Sequence, residues 1–338
     1  MSRAQPWTRL SDEELLSLRF CDLKLTLERR PLRRALRRLY EELGARGLAF
    51  EPHVWLAEEW FSPDGVPGFA VPFYLAHPRL ERLERRMMRE VEGGNSRWLM
   101  RILRHEAGHA VDTAFRLRRR GRWRQVFGRA SNPYPHRYRA RPASRRYVHH
   151  LGEWYAQSHP TEDFAETFAV WLKPRSNWRA SYAEWPAFRK LRFVHELMGQ
   201  LEGARPFVRN RVRIEPLDQN TRTLAQHYRA KRARLRGYRR GFADTVLKRV
   251  FSPHADARAL RASSLLRGAR AELVSAAVRE LGMERYSVQQ HLRMLIDRSD
   301  ALKLYVNGSR REAKARARRA LVRLTRLYAQ GETPHFSL

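Results

Sequence analysis

The chain of 338 residues has one cysteine, Cys21. That excludes an internal disulfide and any cysteine-based zinc knuckle. It has no apolar run approaching eighteen residues, so no segment reads as membrane-spanning. Its first ten residues, from Met1 to Leu10, are too polar for a secretory signal. From these absences a cytoplasmic protein is expected. Acid is also scarce, with 35 Asp and Glu against 68 Lys and Arg, a net charge of +33. Such a surface attracts polyanions. Most of the bases are Arg and they run along the whole chain, so part of the charge reads as composition rather than function. With 43% hydrophobic residues, nine Trp and fifteen Phe, the chain can build a core and is not a disordered composition. Its length suits one large domain or two ordinary ones.

What is present is organised around Arg104-His105-Glu106-Ala107-Gly108-His109-Ala110-Val111-Asp112, a His-Glu-x-x-His sequence. On a helix, His105 and His109 project from one face a turn apart. Two imidazoles at that spacing can share a metal ion, and Glu106 can reach a water on the same ion. The helix is expected from about Asn95 to Arg118. Asn95-Ser96 can cap it, and Leu99, Ile102, Leu103, Ala107, Ala110 and Val111 form its apolar stripe. Histidines on such a face need a partner, and a cation is the simplest one. Asp112 lies one turn past His109 and could orient a ligand or sit plainly on the helix surface.

Upstream, Ser11-Asp12-Glu13-Glu14 matches a capping box, Leu18 to Leu27 alternates like a strand, and Pro31 opens an amphipathic helix ended by Gly44 and Gly47. Val54 to Ala57 and Val66 to Ala76 read as strands separated by the turn residues Ser62-Pro63-Asp64-Gly65. Pro67 and Pro72 make the second an edge strand, which either offers a peptide-pairing edge or is simply blunted by proline. Pro78 to Val91 reads as helix. From Arg119 to His149 no element is evident, which usually marks a functional or mobile loop; His136 and His149, with the following His150, could bind substrate, but exposed histidines in a basic stretch are more often neither ligand nor catalyst.

The second decisive stretch is Leu151 to Leu172. Pro160 and Thr161 start a helix, with Thr161 as its cap and Phe164, Ala165, Phe168, Ala169 and Leu172 as its buried stripe. Glu162 and Glu166 fall on one face. A buried carboxylate pair is costly unless it meets cations. A metal held by the two histidines meets that need, with Glu162 as ligand and Glu166 accepting the free N–H of a ligand histidine. Downstream, Arg175 to Gly199 reads as helical packing. His195-Glu196-Leu197-Met198-Gly199 lacks the second histidine of a zinc motif.

The two stretches, His-Glu-x-Gly-His-Ala-Val-Asp and Tyr-x6-Glu-x-Phe-Ala-Glu-x-Phe, resemble the gluzincin-type zinc metallopeptidases. They are most similar to the catalytic domain of anthrax lethal factor and to a group of bacterial zinc-binding metallopeptidases, which the segment from His53 to Leu80 also resembles. The resemblance implies a zincin-like fold, Zn2+ as cofactor and a protein or peptide substrate. It implies His105, His109 and Glu162 as metal ligands, Glu106 as the base that activates water, and Tyr155, seven positions before Glu162, as support for the transition state. Asp163 stands where lethal factor has an aromatic residue and has no role implied.

After residue 200 the texture changes. Residues 201–338 hold 31 Lys and Arg against 12 Asp and Glu, a net of +19. Bases cluster from Arg229 to Arg240 and from Arg310 to Arg319, and Val274 to Ile296 loosely suggests helix-turn-helix. The expected architecture is therefore α+β: a zincin-like domain over 1–200, with a small, mostly antiparallel sheet and active-site helices, then a basic helical region over 201–338. The expected function is zinc-dependent peptide hydrolysis. The alternative is a nucleic-acid-associated basic protein whose zinc site is structural or vestigial.

Overall fold

The computed structural model describes residues 5–88, 91–135, 138, 140–141, 144–152, 154–236, 242–254, 260–283 and 285–330. His136 and part of the Arg229 to Arg240 cluster lie outside them. Helices dominate: α1 (Asp12–Ser17), α2 (Arg30–Gly44), α3 (Pro78–Met88), α4 (Ser96–Ala114), α5 (Gly121–Phe127), α6 (Pro160–Leu172), α7 (Trp178–Ser181), α8 (Ala187–Gly199), α9 (Leu224–Arg236), α10 (Phe242–Val250), α11 (Ala262–Gly268), α12 (Arg270–Leu281), α13 (Arg285–Ala301) and α14 (Arg310–Gln330). The strands are β1 (His53–Ala57) and β2 (Gly68–Pro72).

The chain is α+β, but the sheet departs from expectation. Among the described residues it has two strands, and they run parallel, from His53 opposite Gly68 to Ala57 opposite Pro72. Parallel neighbours ordinarily need a long crossover. Here the link of residues 58–67 is short because it folds back and lays Phe61 antiparallel to Ala70, whose N–H donates to the Phe61 carbonyl at 2.8 Å. The β2 edge is thus occupied at Ala70, and every β2 residue is buried. The alternating stretch at Leu18 to Leu27 is not a strand. Phe20–Leu23 makes one 3₁₀ turn, and the Phe20 and Cys21 N–H groups donate to residues 222 and 220.

The first core is assembled on α4 and α6. Asn95 caps α4 by accepting from the Trp98 N–H at 2.9 Å. Leu99, Ile102, Leu103, Ala107, Ala110 and Val111 bury its stripe as the periodicity requires. The helix ends at Ala114, earlier than expected, and the chain continues through a 3₁₀ turn at Leu117–Arg119 into α5. Pro160 takes the first position of α6, so His159 rather than Thr161 is the cap, its Nδ1 accepting from the Thr161 N–H at 3.3 Å. At the crossing of the two helices, a Cβ on Gly108 would lie 2.9 Å from the Ala165 Cα. Only a residue without a side chain lets the backbones come this close. On its other side α4 is tied to α2 by a buried fork, Arg104 Nε and Nη2 donating to Glu42 at 2.6 and 2.7 Å.

The first core continues past residue 200 through Leu201, Leu217, Leu224 and Tyr228. α9 is latched to it by polar contacts: His227 Nδ1 to Glu58 at 2.6 Å, and Lys231 Nζ to Glu59 and Glu84 at 3.0 and 3.1 Å. A second core joins α10 to α14, with Leu247, Phe251, Leu266, Val274, Leu292, Leu295 and Leu321 buried together. From the other part of the chain Ala140 and Trp154 are buried in it, and Tyr138 packs against it. No described helix is long and apolar enough to cross a membrane.

Candidate metal centre

The Gly108 crossing sets α4 against α6 so that side chains 53 residues apart in sequence converge. His105 Nε2 and His109 Nε2 are 3.1 Å apart, and Glu162 Oε2 lies 3.0 Å from the first and 3.2 Å from the second. A tetrahedral zinc ion with bonds of about 2.0–2.1 Å separates its ligand atoms by about 3.3 Å. The triangle of these three atoms has that size, so the residues present fit the ion.

The surrounding groups prepare the donors. His105 Nδ1–H donates to Glu166 Oε1 at 2.9 Å, and the Leu151 N–H holds Glu166 Oε2 at 2.8 Å. A proton fixed on Nδ1 leaves Nε2 to face the triangle. Burial disfavours a charged His105, but the Glu162 and Glu166 carboxylates outweigh it and push the imidazole up to about 10. Burial likewise opposes charge on Glu162, yet His109 and His105 hold its carboxyl well below the usual range. The pocket therefore demands positive charge between its carboxylates. A proton can supply it, and a divalent ion must displace that proton to bind.

Glu106 is buried beside the histidines on α4, and Ser62 Oγ–H donates to its Oε2 at 2.7 Å. Tyr155 is buried with its ring 5.5 Å from that of His105. The hydrogen bonds of Asp112 go to Arg118. Its carboxylate is fully buried and accepts from the Arg118 N–H at 2.8 Å and Nε–H at 2.6 Å, while Arg118 Nη1 reaches Asp64 at 2.6 Å. The pair ties the end of α4 to the turn that carries Ser62. Asp163 faces away from the triangle, its Oδ2 accepting from Lys190 Nζ at 2.5 Å, and burial pushes it up to about 7.

His149 and His150 are not exposed. His150 is buried with Nε2–H donating to the Arg101 carbonyl at 2.8 Å, and burial pushes it down to about 3. Burial pushes the half-buried His149 down to about 4. Three contributors escaped sequence reasoning. Ser62 gave only a turn signal. Tyr134, in the apparently featureless stretch, donates from its hydroxyl to Glu162 Oε1 at 2.8 Å. Trp154, with φ 56, is gripped by the second core beside His291 (ring centroids 5.5 Å apart), directly before Tyr155.

Residues 80–184 match a protein-family model described as "Putative zinc-binding metallo-peptidase". The match spans α4, α6 and everything between them, including His105, His109, Glu162, Glu106, Tyr134, Tyr155 and Glu166. It starts at Leu80, so the resemblance expected from His53 onward is not part of it. No curated protein and no solved structure matches the chain. Its central third is thus similar to a zinc-metallopeptidase family, and within that third lies a His105, His109, Glu162 cluster able to hold a metal ion.

Proposed function

We propose that this protein is a gluzincin-type zinc metallopeptidase, with His105, His109 and Glu162 as ligands and Glu106 as general base. The observation that carries the reading is the triangle of 3.0, 3.1 and 3.2 Å between three donor atoms on two helices, backed by Glu166. Zinc supplies Lewis acidity to the scissile carbonyl and makes water nucleophilic near neutral pH. Glu106 takes the proton from the attacking water and later delivers it to the leaving amine. Ser62 keeps one Glu106 oxygen engaged, so the other is presented to water. Tyr155 donates to the developing oxyanion, a contribution of about 3 kcal/mol for one such donor. Glu166 holds the His105 ring in its ligating orientation.

The test is a pair of measurements on purified protein. Zinc is expected at about one ion per chain in wild type and in Glu106→Gln, with peptide hydrolysis lost only in the variant. Full turnover by Glu106→Gln, or equal zinc in wild type and His109→Ala, sinks the reading.

A second reading concerns the basic helices. On α14, Arg311, Arg318, Arg319, Arg323 and Arg326 are exposed while Ala313, Ala317, Leu321 and Leu324 are buried in the second core. The apolar face is spent on packing, which leaves the cationic side to contact nucleic-acid phosphates rather than to enter a bilayer. Deleting 201–338 would also strip Leu217, Leu224 and Tyr228 from the first core, so charge removal is the cleaner test. Replacing Arg318, Arg319, Arg323 and Arg326 by Gln should flatten the salt dependence of DNA or RNA binding, by about 0.9 in log–log slope per lost phosphate contact. An unchanged slope removes this surface from consideration.

A further inference from the structure

We infer that Tyr134 is a positioning residue of the metal centre: its hydroxyl holds Glu162 Oε1 so that Oε2 alone is presented to His105 and His109. The inference rests on the metal-centre reading above and adds a residue from outside the two motif helices.

The segment that carries Tyr134 is laid along the start of α6 at three successive places. A Cβ on Gly128, whose φ is +107, would sit 3.4 Å from Pro160 Cγ. The Asn132 carbonyl meets His159 Nε2 at 2.9 Å. The Tyr134 ring stacks on His159, with centroids 3.9 Å apart and planes 19° from parallel. The register of the segment on the helix is therefore specified, and the phenol arrives at Thr161 and Glu162 by construction.

The direction of its hydrogen bond follows from what each neighbour can give. The Asn132 carbonyl only accepts, so His159 carries its proton on Nε2 and its Nδ1 accepts. That Nδ1 takes the Thr161 hydroxyl at 2.7 Å and the Thr161 N–H at 3.3 Å. The Thr161 proton is thereby committed to His159. The single phenolic proton of Tyr134 has two acceptors within reach, the Thr161 oxygen and a carboxylate oxygen of Glu162. The charged acceptor makes the stronger bond. One Glu162 oxygen is thus occupied by Tyr134 while the other stands at the histidine nitrogens. Single-oxygen ligation leaves the remaining coordination position for water or substrate, as a hydrolytic site requires. Half of the Tyr134 surface is exposed (50%), so the residue also forms part of the rim and can be altered without opening a core.

Tyr134→Phe keeps the ring on His159 and removes only the proton that Glu162 accepts. The readout is zinc affinity of the full-length protein, measured by competition with a chromogenic chelator, with circular dichroism of the metal-free chain as the check on folding. Partners that orient a ligand typically contribute tenfold to a hundredfold in metal affinity. The expected result is a zinc dissociation constant raised about tenfold to a hundredfold in Tyr134→Phe, with Tyr134→Ala no weaker and both spectra unchanged. Wild-type affinity in Tyr134→Phe overturns the inference. So does a loss confined to Tyr134→Ala, which assigns the effect to the ring stack. His109→Ala separates the two levels of failure. If it loses zinc while Tyr134→Phe does not, only the role of Tyr134 falls; if it binds zinc like wild type, the metal centre falls and this inference with it.

Discussion

The two largest apolar cores among the described residues treat charge in opposite ways. Among the described residues, the first buries Glu42, Glu84, Arg104, His105, Glu106, Asp112, Glu162, Asp163 and Glu166. The buried polar groups of the second are Ser263, Ser299, Thr325 and one histidine, His291. Removing an ionised group from water is costly unless partners compensate it. In the first core the partners are specific: Arg104 for Glu42, Lys231 for Glu84, Arg118 for Asp112 and Lys190 for Asp163. Glu162 and Glu166 instead find their positive charge in the imidazoles of His105 and His109, which can carry it or surrender it to a metal. Among the described residues the second core fully buries no Asp, Glu, Lys or Arg, which suffices for helix packing. Buried carboxylates that face imidazoles therefore mark where chemistry is proposed, and those that face Arg or Lys tie the scaffold.

Breaking the triangle of His105, His109 and Glu162 should have the largest effect on this contrast. His109→Ala or Glu162→Gln is expected to abolish stoichiometric zinc by metal analysis while leaving the helical signal intact. Loss of helicity instead would show that the charge cluster is needed for the fold.

The next largest effect compares two helix glycines. Gly108→Ala forces a 2.9 Å approach to the Ala165 Cα, whereas nothing lies within 4 Å of a Cβ on Gly268 in α11. Overpacking costs about 1–3 kcal/mol, so Gly108→Ala should lower the melting temperature and weaken zinc binding. Gly268→Ala should change neither measurably. Equal melting curves for the two variants would mean that α4 and α6 separate freely.

A smaller effect concerns pH. Burial pushes His291 down to about 4 in the folded chain, against an ordinary histidine near 6.5 when unfolded. Between those values the unfolded state binds the proton and the folded state does not, so this contribution to stability is complete above pH about 6.5 and declines as pH falls toward 4. Urea unfolding at several pH values should show the decline, and His291→Phe should make it shallower. An identical slope in the variant would assign acid sensitivity elsewhere, with His149 and His150, also pushed down by burial, the next to replace.

Much of this architecture is legible in the order of the residues. The capping box at Ser11 and Glu14 forms with both of its hydrogen bonds, 2.8 and 3.2 Å long, because a cap depends on neighbours three residues away. The amphipathic stripes of α2 and α4 are buried as their spacing requires, whereas α6 is buried on every face from Thr161 to Leu172. The strand direction was not legible, because alternation marks a strand without naming the side or sense of its partner. The exposed reading of His150 failed because its solvation depends on a carbonyl 49 positions earlier. The boundary expected at residue 200 followed a change in composition, whereas the first apolar core runs on to Tyr228 because packing, not charge density, decides which helix joins it.

By itself the sequence determined that His105 and His109 would share a helix face and that Glu162 and Glu166 would share another, since helical spacing is a local property of the chain. Only the tertiary structure decided that those faces meet, and that Ser62, Tyr134 and Trp154 stand around the meeting point. Contacts across tens of residues are set by how closely two backbones can approach, which here turns on the missing side chain of Gly108, and no local pattern encodes that distance.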